Sequence, residues 1–128
     1  MALNVLVVDD SAVMRKMIIK TLTLIQTPFG EVHEASNGAE ALGVLEAHRV
    51  DVALVDLNMP VMDGEEFLDR VRRDPGHADL PVIIVSTESS EARIAALKRK
   101  GAWFVHKPFS PEAFRQAIQS IPGVFQNG

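Results

Sequence analysis

A chain of 128 residues with 47% hydrophobic and 23% charged side chains has the size and balance of one ordinary globular domain, with no room for a second effector or cap domain. The formal charge of −4 gives no electrostatic footprint for nucleic acid, and the absence of cysteine excludes disulfides and thiolate metal sites. The amino end has neither a basic segment nor an apolar run long enough for a signal sequence or membrane span, so the expected compartment is the cytoplasm.

The hydrophobic pattern then alternates between short β-branched runs and longer helical stretches, which predicts βα units around a parallel sheet. Val5-Leu6-Val7-Val8 is the first strand, stopping on Asp9-Asp10. Ser11 caps a helix running to about Ile25, with Val13, Met14, Met17, Ile18, Leu22 and Ile25 near helical spacing. After Thr27-Pro28-Phe29-Gly30 comes a short, weak strand over Val32 to Ala35, expected at an edge, and Ser36-Asn37-Gly38 turns into a helix carrying Ala41, Leu42 and Leu45. Val52 to Asp56 is nearly continuous in apolar residues and reads as a central strand covered on both faces. The loop from Asn58 to Gly64, with Asp63-Gly64 read as a turn, leads to a helix with Glu65 and Glu66 in its first turn and Phe67, Leu68 and Val71 toward the sheet. Asp74-Pro75-Gly76 breaks it. Pro81 starts the fourth strand, which stops on Ser86-Thr87, and Ser89-Ser90-Glu91 enters a helix with Ile94, Ala95 and Leu97 that ends before Gly101. The fifth strand, Trp103 to His106, stops at Lys107-Pro108. A last helix starts at Ser110-Pro111-Glu112, and Pro122-Gly123 ends it, so the domain is expected over 1–122 and a short loose tail over 123–128.

Four of these strands end on polar residues: Asp9-Asp10, Asp56, Ser86-Thr87 and His106-Lys107. In open α/β sheets the ligand crevice lies beyond the carboxyl ends of the strands, and right-handed crossovers place the first strand beside the third if the second lies outside them. The three carboxylates would then meet. Two carboxylates about 4–5 Å apart at an effective dielectric near 20 repel by about 3–4 kcal/mol, so the cluster needs protons, a cationic partner or a metal, and Lys107 alone cannot balance it. An oxygen-liganded Mg²⁺ suits such a set. His33, His48, His77 and His106 show no ligand spacing in sequence, which argues against zinc. Taken singly, each site residue has a plainer reading: Asp-Asp-Ser as a helix start, Asp56 as a loop residue, Ser86 and Thr87 as cap hydroxyls, Lys107 as a structural partner of a carboxylate. Arg93, Lys98, Arg99 and Lys100 read as a solvated face, and Trp103 as sheet packing against a helix.

Together, Leu6-Val7-Val8-Asp9-Asp10-Ser11, Val55-Asp56-Leu57-Asn58-Met59-Pro60-Val61-Met62-Asp63-Gly64, Ile84-Val85-Ser86-Thr87 and Val105-His106-Lys107-Pro108-Phe109 resemble the receiver domain of two-component response regulators, closest to its stand-alone, CheY-like form. The resemblance covers about Leu3 to Ile121. It implies a flavodoxin-like, doubly wound α/β fold with five parallel strands in order 2-1-3-4-5 and five helices; this strand order comes with the resemblance, not from the pattern. It implies Asp56 as phosphoacceptor for a phosphoryl group from a sensor histidine kinase or a histidine phosphotransfer domain. Mg²⁺ would be held by Asp10, Asp56 and the Asn58 carbonyl, with Asp9 acting through water, and Lys107 would contact the phosphoryl oxygens.

Ser86 matches the family's switch hydroxyl and Phe104 its switch aromatic, and Asn58 and Glu88 match the positions that tune hydrolysis, here in the combination implying a short phosphoryl lifetime. Signalling would be a two-state change at the surface of the fourth helix, fifth strand and fifth helix, read by a downstream protein, with the chain a monomer bound to neither nucleic acid nor membrane. Met14, Arg15 and Lys16 would lie on the kinase-facing surface. Such a protein is a phosphoacceptor that promotes its own phosphorylation and dephosphorylation, not a conventional enzyme; chemotaxis is one implied setting. Two other readings fit less well. A haloacid-dehalogenase-type phosphohydrolase would have an acid where Asn58 stands, and a phosphorylation-independent flavodoxin-like binding module would not need Asp9, Asp10, Asp56 and Lys107 together.

Overall fold

Strand and helix alternate five times in the computed structural model, which describes residues 2–123: β1 (Leu3–Val8), α1 (Ala12–Thr23), β2 (Phe29–Ala35), α2 (Gly38–Ala47), β3 (Val52–Asp56), α3 (Gly64–Arg73), β4 (Val82–Ser86), α4 (Glu91–Arg99), β5 (Trp103–His106) and α5 (Pro111–Gln119). All strand pairs are parallel and the sheet order is β2-β1-β3-β4-β5. The doubly wound, flavodoxin-like α/β architecture is therefore the observed one. Every residue of β3 and β4 is buried because helices cover both faces of the central strands. On one face Leu6, Val8, Val55 and Ile84 pack with Ala41, Leu45, Phe67, Leu68 and Leu97. On the other, Val5, Val7, Leu54, Ile83 and Val105 pack with Ile18, Leu22, Phe114 and Ile118.

Short polar residues place the helix starts. Ser11, Asn37, Asp63, Ser90 and Ser110 each accept the amide of the residue three positions on, satisfying a donor that the first turn would otherwise leave free. Asp63 is thus a cap, more than the simple turn residue read from the sequence. Gly64 has its own constraint: a Cβ there would sit 2.3 Å from the Asp56 carbonyl oxygen, so the loop after β3 can fold back only on a bare backbone.

Several boundaries differ from the sequence reading. Helix α1 stops at Thr23, not near Ile25, and Val13 and Met17 face solvent at 71% and 50% exposure; only Ile18 and Leu22 of this helix are fully buried. Strand β2 begins at Phe29, because pairing to β1 recruits Phe29-Gly30 despite their turn-like character, with a register irregularity between Leu3 and Val5. It does lie at the sheet edge. Pro81 precedes β4, although its carbonyl accepts the Ala53 amide at 3.0 Å. Of the expected tail, residues 124–128 lie outside the described residues.

Candidate functional site

Three strands deliver the charged groups to one edge. Asp9 follows β1, only 2% exposed, with its amide donating to the Ala35 carbonyl and its Oδ1 accepting the Ser11 amide at 2.9 Å. Asp56 ends β3, 9% exposed, and β1 and β3 are direct neighbours in register, so the two carboxylates converge. Lys107 comes from the far side: its amide donates to the Ser86 carbonyl at 2.9 Å, and its side chain reaches back across β4. Its Nζ lies 3.1 Å from Asp9 Oδ2 and 3.2 Å from Asp56 Oδ1.

Asp10 is exposed, and an oxygen of Asp9, Asp10 and Asp56 can be chosen so that all three lie within 4.8 Å of one another. One ammonium against three carboxylates leaves two negative charges unmatched. Arg15 does not supply the deficit: its Nη1 donates to the Asp9 carbonyl at 2.7 Å, but its Nε is paired with Glu34. All three donors are hard oxygens, so this acidic pocket fits a divalent cation that prefers oxygen and keeps part of its hydration shell.

Burial pushes the Asp56 carboxyl above the usual aspartate range and the nearby Asp9 charge adds to this, while Lys107 and the Leu57 amide only partly oppose it. Burial also disfavours the charge on Lys107, but the Asp56 and Asp9 carboxylates outweigh it and hold the ammonium above the ordinary lysine value. The site is therefore a desolvated carboxylate, a firmly charged ammonium and an uncompensated acidic rim.

The remaining predicted residues surround this centre. Ser86 ends β4 at 1% exposure, and its Oγ accepts the Glu88 amide at 3.1 Å. Thr87 points outward and Asn58 is exposed in the loop after β3. Glu88 is tied down: it accepts the Ser89 and Ser90 amides and pairs with Arg93 at 3.2 Å, and the Ser90 amide first, with Arg93 behind it, keeps its carboxyl below the usual range. Phe104 is half-buried against the α3–α4 side of the core, with its ring edge-on to His106 at 4.8 Å. Trp103, one residue earlier on β5, alternates to the other face and packs against the α5 side, as expected of a sheet residue under a helix. Both line a groove of about 940 Å³ along β5 and α5, together with Phe109, Ala113 and Gln116.

Arg93 and Lys100 are not a free solvated face. Arg93 joins Glu65 and Glu88, and Lys100 joins Glu65 and Asp69, linking α3 to α4. On the kinase-facing surface expected from resemblance, Arg15 and Lys16 both pair with Glu34 of β2. The pairings of Arg93 and Lys100 with α3, and of Arg15 and Lys16 with β2, join residues far apart in sequence, and only the placement of the helices reveals them.

Fold and site together define a response-regulator signalling domain: the chain belongs to the family of the response regulator receiver domain, whose model matches residues 5–119. Among its relatives, a chemotaxis protein CheY homolog of Campylobacter jejuni is 37% identical over 123 residues, covering 94% of this chain and 93% of that protein. Chemotaxis protein CheY1 of Helicobacter pylori is 35% identical, with 94% and 98% covered. The solved structure of Vibrio cholerae chemotaxis protein CheY4 is similar at a TM-score of 0.82 and 36% identity, over 94% of this chain and 99% of that one. Among the described residues no helix is long and apolar enough to cross a membrane.

Proposed function

We propose that this receiver takes a phosphoryl group onto Asp56 from the phosphohistidine of a sensor histidine kinase or histidine phosphotransfer domain, and passes the signal to a downstream protein. The observation that carries this is the buried Asp56 carboxylate, 3.2 Å from the Lys107 ammonium and within reach of Asp9 and Asp10. A desolvated carboxylate oxygen is the nucleophile: it forms the acyl phosphate as the phosphorus–nitrogen bond to the histidine breaks. Lys107 is placed to neutralise charge on the equatorial oxygens, and such positioning and electrostatic stabilisation are the main contributions a protein makes to phosphoryl transfer. Asp10, Asp56 and the Asn58 carbonyl would hold Mg²⁺, with Asp9 bound through water; the bound ion supplies further charge neutralisation at the phosphoryl group.

After transfer, Ser86 would leave the Glu88 amide for a phosphoryl oxygen, and Phe104 would turn inward, remodelling the α4–β5–α5 surface. Phe104 lacks a phenolic hydroxyl, so this switch works by packing alone. Asn58 and Glu88 would set a short, signalling-type lifetime. We place the functional domain at 1–122, acting as a cytoplasmic monomer in a chemotaxis-type pathway and catalysing its own phosphorylation and dephosphorylation. Incubation with Mg²⁺ and acetyl phosphate, followed by intact-mass measurement, should give one phosphoryl adduct on the parent and none on Asp56→Asn. No adduct on the parent, or an equal adduct on the variant, would overturn the proposal.

A further inference from the structure

Away from the acidic edge, two histidines with no ligand spacing in the sequence are brought together by the fold. Glu31, His33 and Ala35 alternate onto the face of β2 covered by α2, where Ala35 packs with Ala41 and Leu45, while Glu34 points to the α1 side and meets Arg15. His48 is the C-cap of α2 and lies over the same face. Its ring stacks on that of His33 with centroids 4.1 Å apart, and His33 Nε2 lies 3.0 Å from Glu31 Oε1. One ligand atom from each of Glu31, His33 and His48 can be chosen so that all three lie within 4.8 Å of one another.

We propose that Glu31, His33 and His48 form a binding site for one late transition-metal divalent cation of the zinc class, separate from the acidic pocket at the carboxyl ends of the strands. Two imidazole nitrogens and one carboxylate oxygen make a borderline-soft donor set that suits Zn²⁺ and its neighbours, with a fourth position left for water, whereas Mg²⁺ prefers an all-oxygen shell. Four-coordinate zinc with bonds of roughly 2.0–2.1 Å needs donors roughly 3.4 Å apart. Donors already within 4.8 Å close to that separation by side-chain rotation, and both Glu31 and His48 are exposed and able to turn. Binding displaces whatever proton lies between His33 Nε2 and Glu31, since a metal ligand must be a bare ring nitrogen.

The backbone holding these side chains is fixed independently of them. Asn4 of β1 accepts the Glu31 amide on its Oδ1 at 2.9 Å, and its own amide donates to Asp51 Oδ2 at 2.8 Å. Asp51 returns its amide to the Asn4 carbonyl at 2.8 Å. Strand β2 and the segment that carries His48 toward β3 are therefore tied to one residue. Arg49, which follows His48, lies 3.6 Å from Asp51. The other two histidines are occupied elsewhere, His77 with Asp74 and His106 against Phe104.

The test is calorimetric titration of the full chain with ZnCl₂ in excess Mg²⁺, so that the acidic pocket is already supplied with its preferred ion. One zinc per chain is expected, with His33→Gln and His48→Gln each weakening binding at least ~10-fold, and Asp56→Asn binding as the parent does. In the unsubstituted protein, zinc should shift the imidazole ring signals of His33 and His48 in ¹H–¹⁵N spectra and leave those of His77 and His106 in place. That second measurement does not depend on the variants folding. No saturable binding, equal affinity in both histidine variants, loss of binding in Asp56→Asn, or shifts centred on His77 or His106 would overturn the assignment.

Discussion

Replacing Asp56 by Asn should make the metal-free protein more stable. At an effective dielectric near 20, Lys107 at 3.2 Å attracts the Asp56 carboxylate by about 5 kcal/mol. Asp9, within 4.8 Å, repels it by about 3.5 kcal/mol or more. The difference of about 2 kcal/mol does not offset the several kcal/mol needed to take a carboxylate out of water. That shortfall is why the Asp56 carboxyl lies above its ordinary value of 3.8.

The sign of the pH dependence follows. Between 3.8 and the raised folded value the native state holds a proton that the unfolded chain has released, so native stability falls as pH rises through this window. Asparagine has no such term. The advantage of Asp56→Asn should therefore be absent in strong acid, open as pH rises past 3.8, and level off above the raised folded value. There it should reach about 1–2 kcal/mol, or roughly 4–7 °C in Tm for a domain of this size. Thermal unfolding by circular dichroism in chelator, across pH, reads this directly. Excess Mg²⁺ should raise the parent more than the variant and narrow the gap, because ligand binding stabilises only the state that binds it. A variant no more stable than the parent in chelator at neutral pH, or a gap that closes as pH rises, would refute the reasoning.

Gly64→Ala should lower stability by about 1–3 kcal/mol, since the new methyl would lie 2.3 Å from a backbone oxygen that cannot move aside, and a urea melt should show the shifted midpoint. The same displacement falls on the Asp56 carbonyl, so acetyl-phosphate labelling should also slow. Arg72 donates to the Ala78, Leu80, Lys100 and Gly101 carbonyls, joining the α3–β4 and α4–β5 loops. Arg72→Ala should cost about 2–4 kcal/mol by the same assay, and Arg72→Lys should restore only part, because an ammonium cannot reproduce the planar fork.

What the sequence determined by itself is the local chemistry of each βα unit. Short, continuous β-branched runs such as Val82–Val85 read as strands buried on both faces, by their length and their Val and Ile content, and Ser11, Asn37, Ser90 and Ser110 announce helix starts because their side chains satisfy the first-turn amides. Parallel strands share a carboxyl edge, so the residues that stop them were legible as one site once the topology was supplied by resemblance. Strand β2 extends further than its sequence pattern shows because Gly30 interrupts the run and has no strand preference of its own; pairing with β1 carries the strand across it to Phe29. Val13 and Met17 share the helical spacing of the buried Ile18 and Leu22 yet face solvent, because spacing cannot say how wide a helix's covered stripe is.

Tertiary structure alone decided every pairing between side chains remote in sequence. The reach of Lys107 to Asp9 spans 98 positions, and its strength depends on burial that no local pattern encodes. Arg93 and Lys100 reach Glu65 on α3, and Arg72 staples two loops, through carbonyls and carboxylates that helix packing brings within reach. His33 and His48 make the same point most sharply. Their spacing matches no ligand motif, and only the laying of α2 across β2 stacks their rings beside Glu31, because a crossover helix leaves at the carboxyl ends of the strands and carries its own C-terminus, with His48, back toward their amino ends.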